Sequence, residues 1–180
     1  MGGPEAPVTR VHGALLEVYR VGILLRGRSG IGKSECALEL VSRGHRLVAD
    51  DVVELAKGED GRVVGRSPER IRHHMEIRGL GILYIPDLFG PESVAESVSV
   101  DLVCELERWR EGGHYDRLGL ERTSIELLGV EIPRLVLPAR PGGSMATVVE
   151  VGAREHRRRQ EGVNAAARLD ARLRREMHRP

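Results

Sequence analysis

Apolar residues run nearly unbroken from Ala14 to Leu25, with a break at Tyr19-Arg20, so residues 14–26 predict two short strands. A glycine-rich loop, Gly27 to Gly32, comes next. Beyond it Cys36, Ala37, Leu40 and Val41 recur at helical spacing on one face, with Glu35, Glu39 and Arg43 on the other. Glu39 and Arg43 form a favourable i,i+4 pair, and Gly44 stands where a helix C-terminal glycine belongs. Arg46 to Ala49 predicts a short buried strand ending in Asp50-Asp51. Val52–Leu55 and Arg62–Gly65 flank a Glu59-Asp60-Gly61 turn and predict a hairpin.

Farther along, Ile85 to Glu96 reads as an extended loop, and Val98 to Leu106 alternates as a half-buried strand does. Ser124–Leu128 and Glu131–Leu137 predict a strand pair around Gly129. Prolines bracket a loop, Pro138-Ala139-Arg140-Pro141-Gly142-Gly143. From about Ser144 the pattern is helical, interrupted near Gly162, with Asn164 as an N-cap. The alternation of strands and helices, without internal repeats, predicts one α/β domain over residues 11–180 behind a flexible leader, residues 1–10.

Composition narrows the function classes. The 180 residues suit one domain, and 41% hydrophobic with 31% charged residues suits a packed globular chain. No apolar run is long enough for a membrane helix. The net charge of +1 and 3% aromatics argue against a nucleic-acid binder. That charge is an average: residues 151–180 hold nine arginines against four acids, and residues 1–150 are net acidic. In this tail Arg168, Arg172, Arg175 and Arg179 form one stripe and Leu169, Leu173 and Met177 another; the stripe reads as a solvated face or as a dock for a partner protein. Cys36 and Cys104 are far apart in sequence and show no zinc-ligand spacing, and the N-terminus has no signal-peptide pattern, so a reducing cytoplasm is expected.

Against 26 arginines the chain has two lysines, Lys33 and Lys57, and Lys33 falls in a motif. Gly27-Arg28-Ser29-Gly30-Ile31-Gly32-Lys33-Ser34 fits G-x-x-x-x-G-K-[ST] in full. Such a loop turns backbone N–H groups onto phosphate oxygens, its lysine reaches the β- and γ-phosphates, and its serine faces a magnesium ion. The helix that follows adds its N-terminal dipole. Leu47-Val48-Ala49-Asp50-Asp51 then delivers two carboxylates at a strand end, one suited to metal-bound water and one to accepting a proton. The fold class predicted is therefore a P-loop NTPase-like mixed sheet with flanking helices and C-terminal helices.

Several stretches together resemble the catalytic domain of bacterial HPr kinase/phosphorylase. They are Val11-His12-Gly13, the phosphate loop, Arg43 to Asp51, Met75-Glu76-Ile77-Arg78-Gly79-Leu80-Gly81-Ile82, Tyr115-Asp116-Arg117-Leu118-Gly119 and Pro138-Ala139-Arg140-Pro141-Gly142. The resemblance implies transfer of a phosphoryl group from ATP or pyrophosphate to a serine of the phosphocarrier protein HPr, and its removal by inorganic phosphate. It implies Asp51 as the proton acceptor, Lys33 as the phosphoryl clamp, and Ser34 with Glu76 as magnesium ligands. It further implies Arg117 and Arg140 as stabilisers of transition-state charge, a catalytic place for His12, and a hexamer.

Two positions depart from the family pattern: Gly143-Ser144 stands where a basic residue and an asparagine are expected, and Arg28 replaces a frequent acid. Two other readings of the phosphate loop stay open on sequence alone, a small-molecule kinase and a nucleotide-binding regulatory module. His73-His74 beside Glu76 suggests metal ligation, but adjacent side chains diverge, and no ligand role is expected of them.

Overall fold

The computed structural model describes residues 8–177 except 113, 114, 117, 118, 120, 121 and 141. The first half of the chain forms β1 (Thr9–His12), β2 (Ala14–Val18), β3 (Val21–Gly27), α1 (Lys33–Ser42), β4 (Arg46–Ala49), β5 (Val52–Lys57), β6 (Val63–Arg66), β7 (His74–Ile77) and β8 (Gly81–Tyr84). The second half adds α2 (Ile85–Phe89), β9 (Ser97–Ser99), β10 (Leu102–Arg108), β11 (Thr123–Leu127), β12 (Val130–Ala139), α3 (Met145–Gln160) and α4 (Ala165–Met177).

Six strands make the central mixed sheet, in the order β11-β12-β10-β3-β2-β4. Within it β3, β10 and β12 run parallel, and the other pairings are antiparallel. A second sheet, β1-β5-β6-β9, is wholly antiparallel, and β7-β8 is a separate hairpin.

The central sheet is buried on both faces, which is why its strands read as continuous apolar runs. Side chains alternate between the faces. Leu16, Ile23, Leu25, Leu47, Leu102 and Cys104 pack with α1 and α3 through Leu40, Val41, Val149 and Ala153. Leu15, Leu24, Val48 and Val103 turn the other way, onto Val53, Leu55 and Val63 of the second sheet. Each such leucine, fully removed from water, contributes about 2 kcal/mol.

The break at Tyr19-Arg20 is a two-residue hairpin with φ of 50° and 64°, and Val18 pairs with Val21. Positive φ at both central residues gives the primed turn that strand twist requires, here without the usual Asn-Gly. Contacts offset the strain: the Tyr19 ring meets His45 edge-on at 4.7 Å and lies 4.1 Å below the Arg154 guanidinium.

Four sequence expectations change. Thr9 and Arg10, assigned to the leader, are strand residues paired with Leu55 and Glu54. Val98 to Leu106 is two strands in two sheets; the chain crosses between them at Asp101, whose carboxylate accepts the Gly22 N–H at 2.9 Å. Ile85 to Glu96 is partly helical, with α2 followed by a 3-10 turn at Pro91–Ser93. Pro138 and Ala139 belong to β12, so the loop begins at Arg140. Asn164 caps α4 as expected, accepting the Ala167 N–H at 3.1 Å.

Candidate active site

The glycine-rich loop joins the C-terminal end of β3 to the first turn of α1, at the edge where open α/β sheets bind ligands. Gly27 has φ 141°, and a Cβ there would lie 2.5 Å from the Leu106 carbonyl, so only glycine lets the loop leave β3 beside β10. Lys33 reaches back over the loop, its Nζ donating to the carbonyls of Gly27 (2.9 Å) and Arg28 (3.0 Å).

Asp50 directly follows β4, with its side chain buried. The Ser34 hydroxyl lies 3.0 Å from each of its carboxylate oxygens. Burial pushes the Asp50 carboxyl up to about 6, against the opposing pull of the Ser34 hydrogen bond.

Asp51 follows with φ 66°, and Val52 N–H closes a three-residue turn onto the Asp50 carbonyl at 2.8 Å. A positive φ at the centre of such a turn is the rarer, strained form. It separates the two carboxylates: Asp50 stays inside, while the Asp51 side chain is 80% exposed. The Asp51 carbonyl also accepts the Gly13 N–H at 3.1 Å, and β1 pairs with β5 from Thr9↔Leu55 to His12↔Val52. His12 is thereby placed with Nδ1 3.8 Å from Asp51 Oδ1.

Glu76 reaches the same place from β7. Met75 and Ile77 on either side are buried in the core that includes Cys36, Ala37 and Leu40 of α1, so strand alternation turns Glu76 outward. One cavity of about 510 Å³ collects these groups: His12, Gly27, Ser29, Gly30, Gly32, Lys33, Ser34, Glu35, Asp50, Asp51, Glu76 and Arg78.

Not every expected residue lines it. Arg28 and Ile31 belong to the loop but are not among the lining side chains. Arg117 lies outside the described residues. Arg140 sits apart, its guanidinium 3.8 Å from the centre of the Trp109 ring, whose neighbour Tyr115 stacks at 5.1 Å. Ser144, at the departing position, is the N-cap of α3 and accepts the Thr147 N–H at 3.2 Å. The asparagine expected there is an equally good cap.

Sequence reasoning gave the lining residues Glu35 and Arg78 no role in the site, and it read Asp50 only as one of two strand-end acids, without pairing it to Ser34. The signal for Asp50 was the pairing of a phosphate-loop serine with a strand-terminal acid. For Arg78 it was the i,i+2 spacing from Glu76. The cavity offers hard oxygen donors, Ser34 hydroxyl and Asp50 and Glu76 carboxylates, a set that suits magnesium sharing waters and phosphate oxygens. Among the described residues there is no cluster of three or more His, Cys, Asp or Glu able to hold a metal by themselves.

A mixed sheet with a phosphate loop at its edge and a Ser–Asp pair beneath it defines a P-loop phosphate-binding domain. The sequence profile of the HPr Serine kinase C-terminal domain matches residues 5–173, and the chain belongs to that family. The HPr kinase/phosphorylase of Thermoanaerobacter sp. (strain X514) is 54% identical over 168 residues, 93% of this chain and 55% of that protein. The HPr kinase/phosphorylase of Caldicellulosiruptor bescii is 52% identical over 174 residues, 97% of this chain and 56% of that protein. The structure of the Hpr(Ser) kinase/phosphatase from Coxiella burnetii superposes with a TM-score of 0.80 at 31% identity, covering 89% of this chain and 98% of the other. The chain thus spans little more than half the length of these curated relatives.

Proposed function

We propose that this domain is a magnesium-dependent protein-serine kinase and phosphorylase acting on HPr. The observation that carries the reading is the single cavity holding the phosphate loop, Asp51, His12 and Glu76. Family membership favours it over a small-molecule kinase or an inactive regulatory module.

In the forward direction the serine hydroxyl of HPr attacks the terminal phosphorus of ATP or pyrophosphate. The new serine O–P bond forms as the bond to the leaving group, ADP or phosphate, breaks, and Asp51 takes the serine proton. Asp51 suits this role because its strained turn exposes a carboxylate at the cavity mouth, with the His12 ring beside it. Lys33, Ser34 and the loop N–H groups hold the transferred phosphoryl and its neighbour.

In the reverse direction inorganic phosphate attacks the phosphorus of phosphoserine, Asp51 takes the proton of the attacking phosphate and passes it to the serine oxygen as the serine O–P bond breaks, and pyrophosphate leaves. Ser34 and Glu76, with Asp50 behind Ser34, would hold the magnesium ion. Bound there, it neutralises charge on the phosphate oxygens. Arg117 and Arg140 add positive charge during transfer, Arg140 after leaving Trp109.

HPr, or a neighbouring subunit of a hexamer, would meet α4. That helix buries none of its residues and exposes Leu169, Leu173 and Met177 beside its arginines. No described helix is long and apolar enough to cross a membrane. Light scattering tests the hexamer. Incubation with HPr, ATP and magnesium tests the reaction: phosphoserine on HPr is expected, followed by pyrophosphate release when ATP is replaced by inorganic phosphate. Absence of transfer overturns the reading.

A further inference from the structure

The phosphate cavity suits a phosphate chain and offers no bed for a nucleobase. Among the described residues that line it, none is Phe, Tyr, Trp or a large aliphatic residue. The chain has one Trp, three Tyr and one Phe, so platforms for a flat ring are few. Phe89 packs against the core. Tyr19 lies between His45 and Arg154 at the β2-β3 hairpin, on the opposite edge of the sheet from the phosphate loop. Tyr84 lies against His74 at the end of the β7-β8 hairpin remote from its turn. Trp109 and Tyr115 remain.

These two stand on the loop's own edge of the sheet. The pairing of β10 with β3 runs to Leu106↔Gly27, where the loop starts, and Trp109 follows on the same strand. Extended chain from Leu106 to Trp109 covers roughly 10 Å, the span of a ribose and a phosphate. The indole is firmly mounted. Its backbone N–H donates to the Ala139 carbonyl at 3.3 Å. Tyr115 stacks on the ring at 5.1 Å with the planes 16° apart. The Tyr115 hydroxyl accepts the Arg110 N–H at 3.0 Å and donates to the Arg108 carbonyl at 3.4 Å. The Arg140 guanidinium, also flat, covers the indole at 3.8 Å. Trp109 stays 37% exposed, so the platform is reachable from solvent.

We propose that Trp109 is the nucleobase platform of the donor site, and that Arg140 and the base occupy it in turn. In the free chain Arg140 covers the indole. A bound phosphate chain draws the guanidinium away, and the vacated ring stacks the base. Stacking tolerates any base, because every base has a π-face. The platform therefore serves nucleoside triphosphates as a class and adds nothing to pyrophosphate, which brings no ring. The assignment rests on the proposed kinase reading, in which a nucleotide is the phosphoryl donor.

The probes are the β,γ-imido analogue of ATP and inorganic triphosphate, each with magnesium; they share a phosphate chain and differ by the adenosine. Calorimetry on the full chain and its variants reads the ratio of the two affinities, nucleotide over triphosphate. Trp109→Leu lowers that ratio about tenfold, the worth of one stacked base, while Trp109→Phe keeps it within about threefold of the parent. Arg140→Ala weakens both ligands and does not lower the ratio, because the ring is already uncovered. In the parent both ligands change the Trp109 emission, and the nucleotide quenches it further by stacking. An unchanged ratio in Trp109→Leu overturns the proposal. A ratio that falls in Arg140→Ala also overturns it, since the base would then rest on the guanidinium. Should Trp109→Leu fail to fold, as judged by circular dichroism, equal emission of the parent with nucleotide and with triphosphate overturns it instead. Absence of HPr phosphorylation by the parent chain with ATP speaks against the kinase reading and leaves the affinity ratio decisive for Trp109.

Discussion

Ser34 and Asp50 are joined through a hydroxyl that lies 3.0 Å from both carboxylate oxygens, linking the first turn of α1 to the end of β4. The contact is made in a buried setting, and it fixes the depth at which the phosphate loop sits on the sheet. It also places a desolvated carboxylate beneath the loop, with consequences for stability.

Burial raises the Asp50 carboxyl from 3.8 to about 6. The native state therefore binds this proton more tightly than the unfolded chain does. The contribution of Asp50 to stability is complete below its unfolded value and is lost as pH rises through its folded one. At neutral pH the ionised, buried group costs about 3 kcal/mol. Asp50→Asn keeps the shape and removes the charge. Without metal or nucleotide, urea melts should show the variant more stable at about pH 7–8 and equal to the parent near pH 4. A gain independent of pH would contradict the assignment.

Asp51 tests separately because its strain and its chemistry can be pulled apart. Its φ of 66° is tolerated by asparagine and resisted by alanine. Asp51→Asn should melt like the parent while transfer to HPr drops about a hundredfold or more. Asp51→Ala should lose the same activity and about 1 kcal/mol of stability besides. Single-turnover phosphorylation and thermal melts separate the two effects; equal stability of the two variants would show that the turn is unstrained.

The sequence was informative where local pattern and tertiary placement agree. The phosphate loop, the amphipathic α1 and the strand ending in Asp50-Asp51 are each specified by residues within one element, and all three appear as expected. Val98 to Leu106 misled because its alternation spans two strands of different sheets, and β10 is buried on both faces rather than one. Thr9 and Arg10 carry no apolar signal; their strand is set by pairing with β5, more than forty residues away. The site divides in the same way. Lys33 and Ser34 are legible from spacing, whereas the depth of Asp50 depends on both sheets packing over it, and the position of Arg78 depends on where its hairpin docks. Arg140 was legible as a motif residue, but its contact with Trp109 is set by strand register.

Glu150 ties α3 to the end of the phosphate-loop helix. Its carboxylate meets His45 Nε2 at 2.7 Å and Arg43 at 2.7 Å, while Arg43 also pairs with Glu39. Burial raises the Glu150 carboxyl, but the His45 and Arg43 hydrogen bonds outweigh it and hold the group below the ordinary carboxylate range. Its stabilisation is thus present above the unfolded value and lost as pH falls through the lowered one. Glu150→Ala should cost about 2 kcal/mol near neutral pH because buried His45 loses its partner, and this cost should shrink in acid. Urea melts of parent and variant across pH read the difference; a pH-independent cost would mean the loss is packing alone.

Trp109, the chain's one tryptophan, makes the position of Arg140 measurable. Arg108 pairs with Ala139 in parallel register, so Trp109 and Arg140 are the next residues of adjacent strands. In the same sheet β10 pairs with β3 up to Leu106↔Gly27, where the phosphate loop starts. The guanidinium at 3.8 Å is held by a cation–π contact worth about 1 kcal/mol, weak enough for a phosphoryl dianion to overcome. Adding pyrophosphate and magnesium should therefore change the Trp109 emission as Arg140 leaves the ring. Arg140→Ala should alter the emission of the free protein and abolish the ligand-induced change. An identical response in parent and variant would mean that Arg140 stays on Trp109 while phosphate is bound, and would remove it from the transfer step.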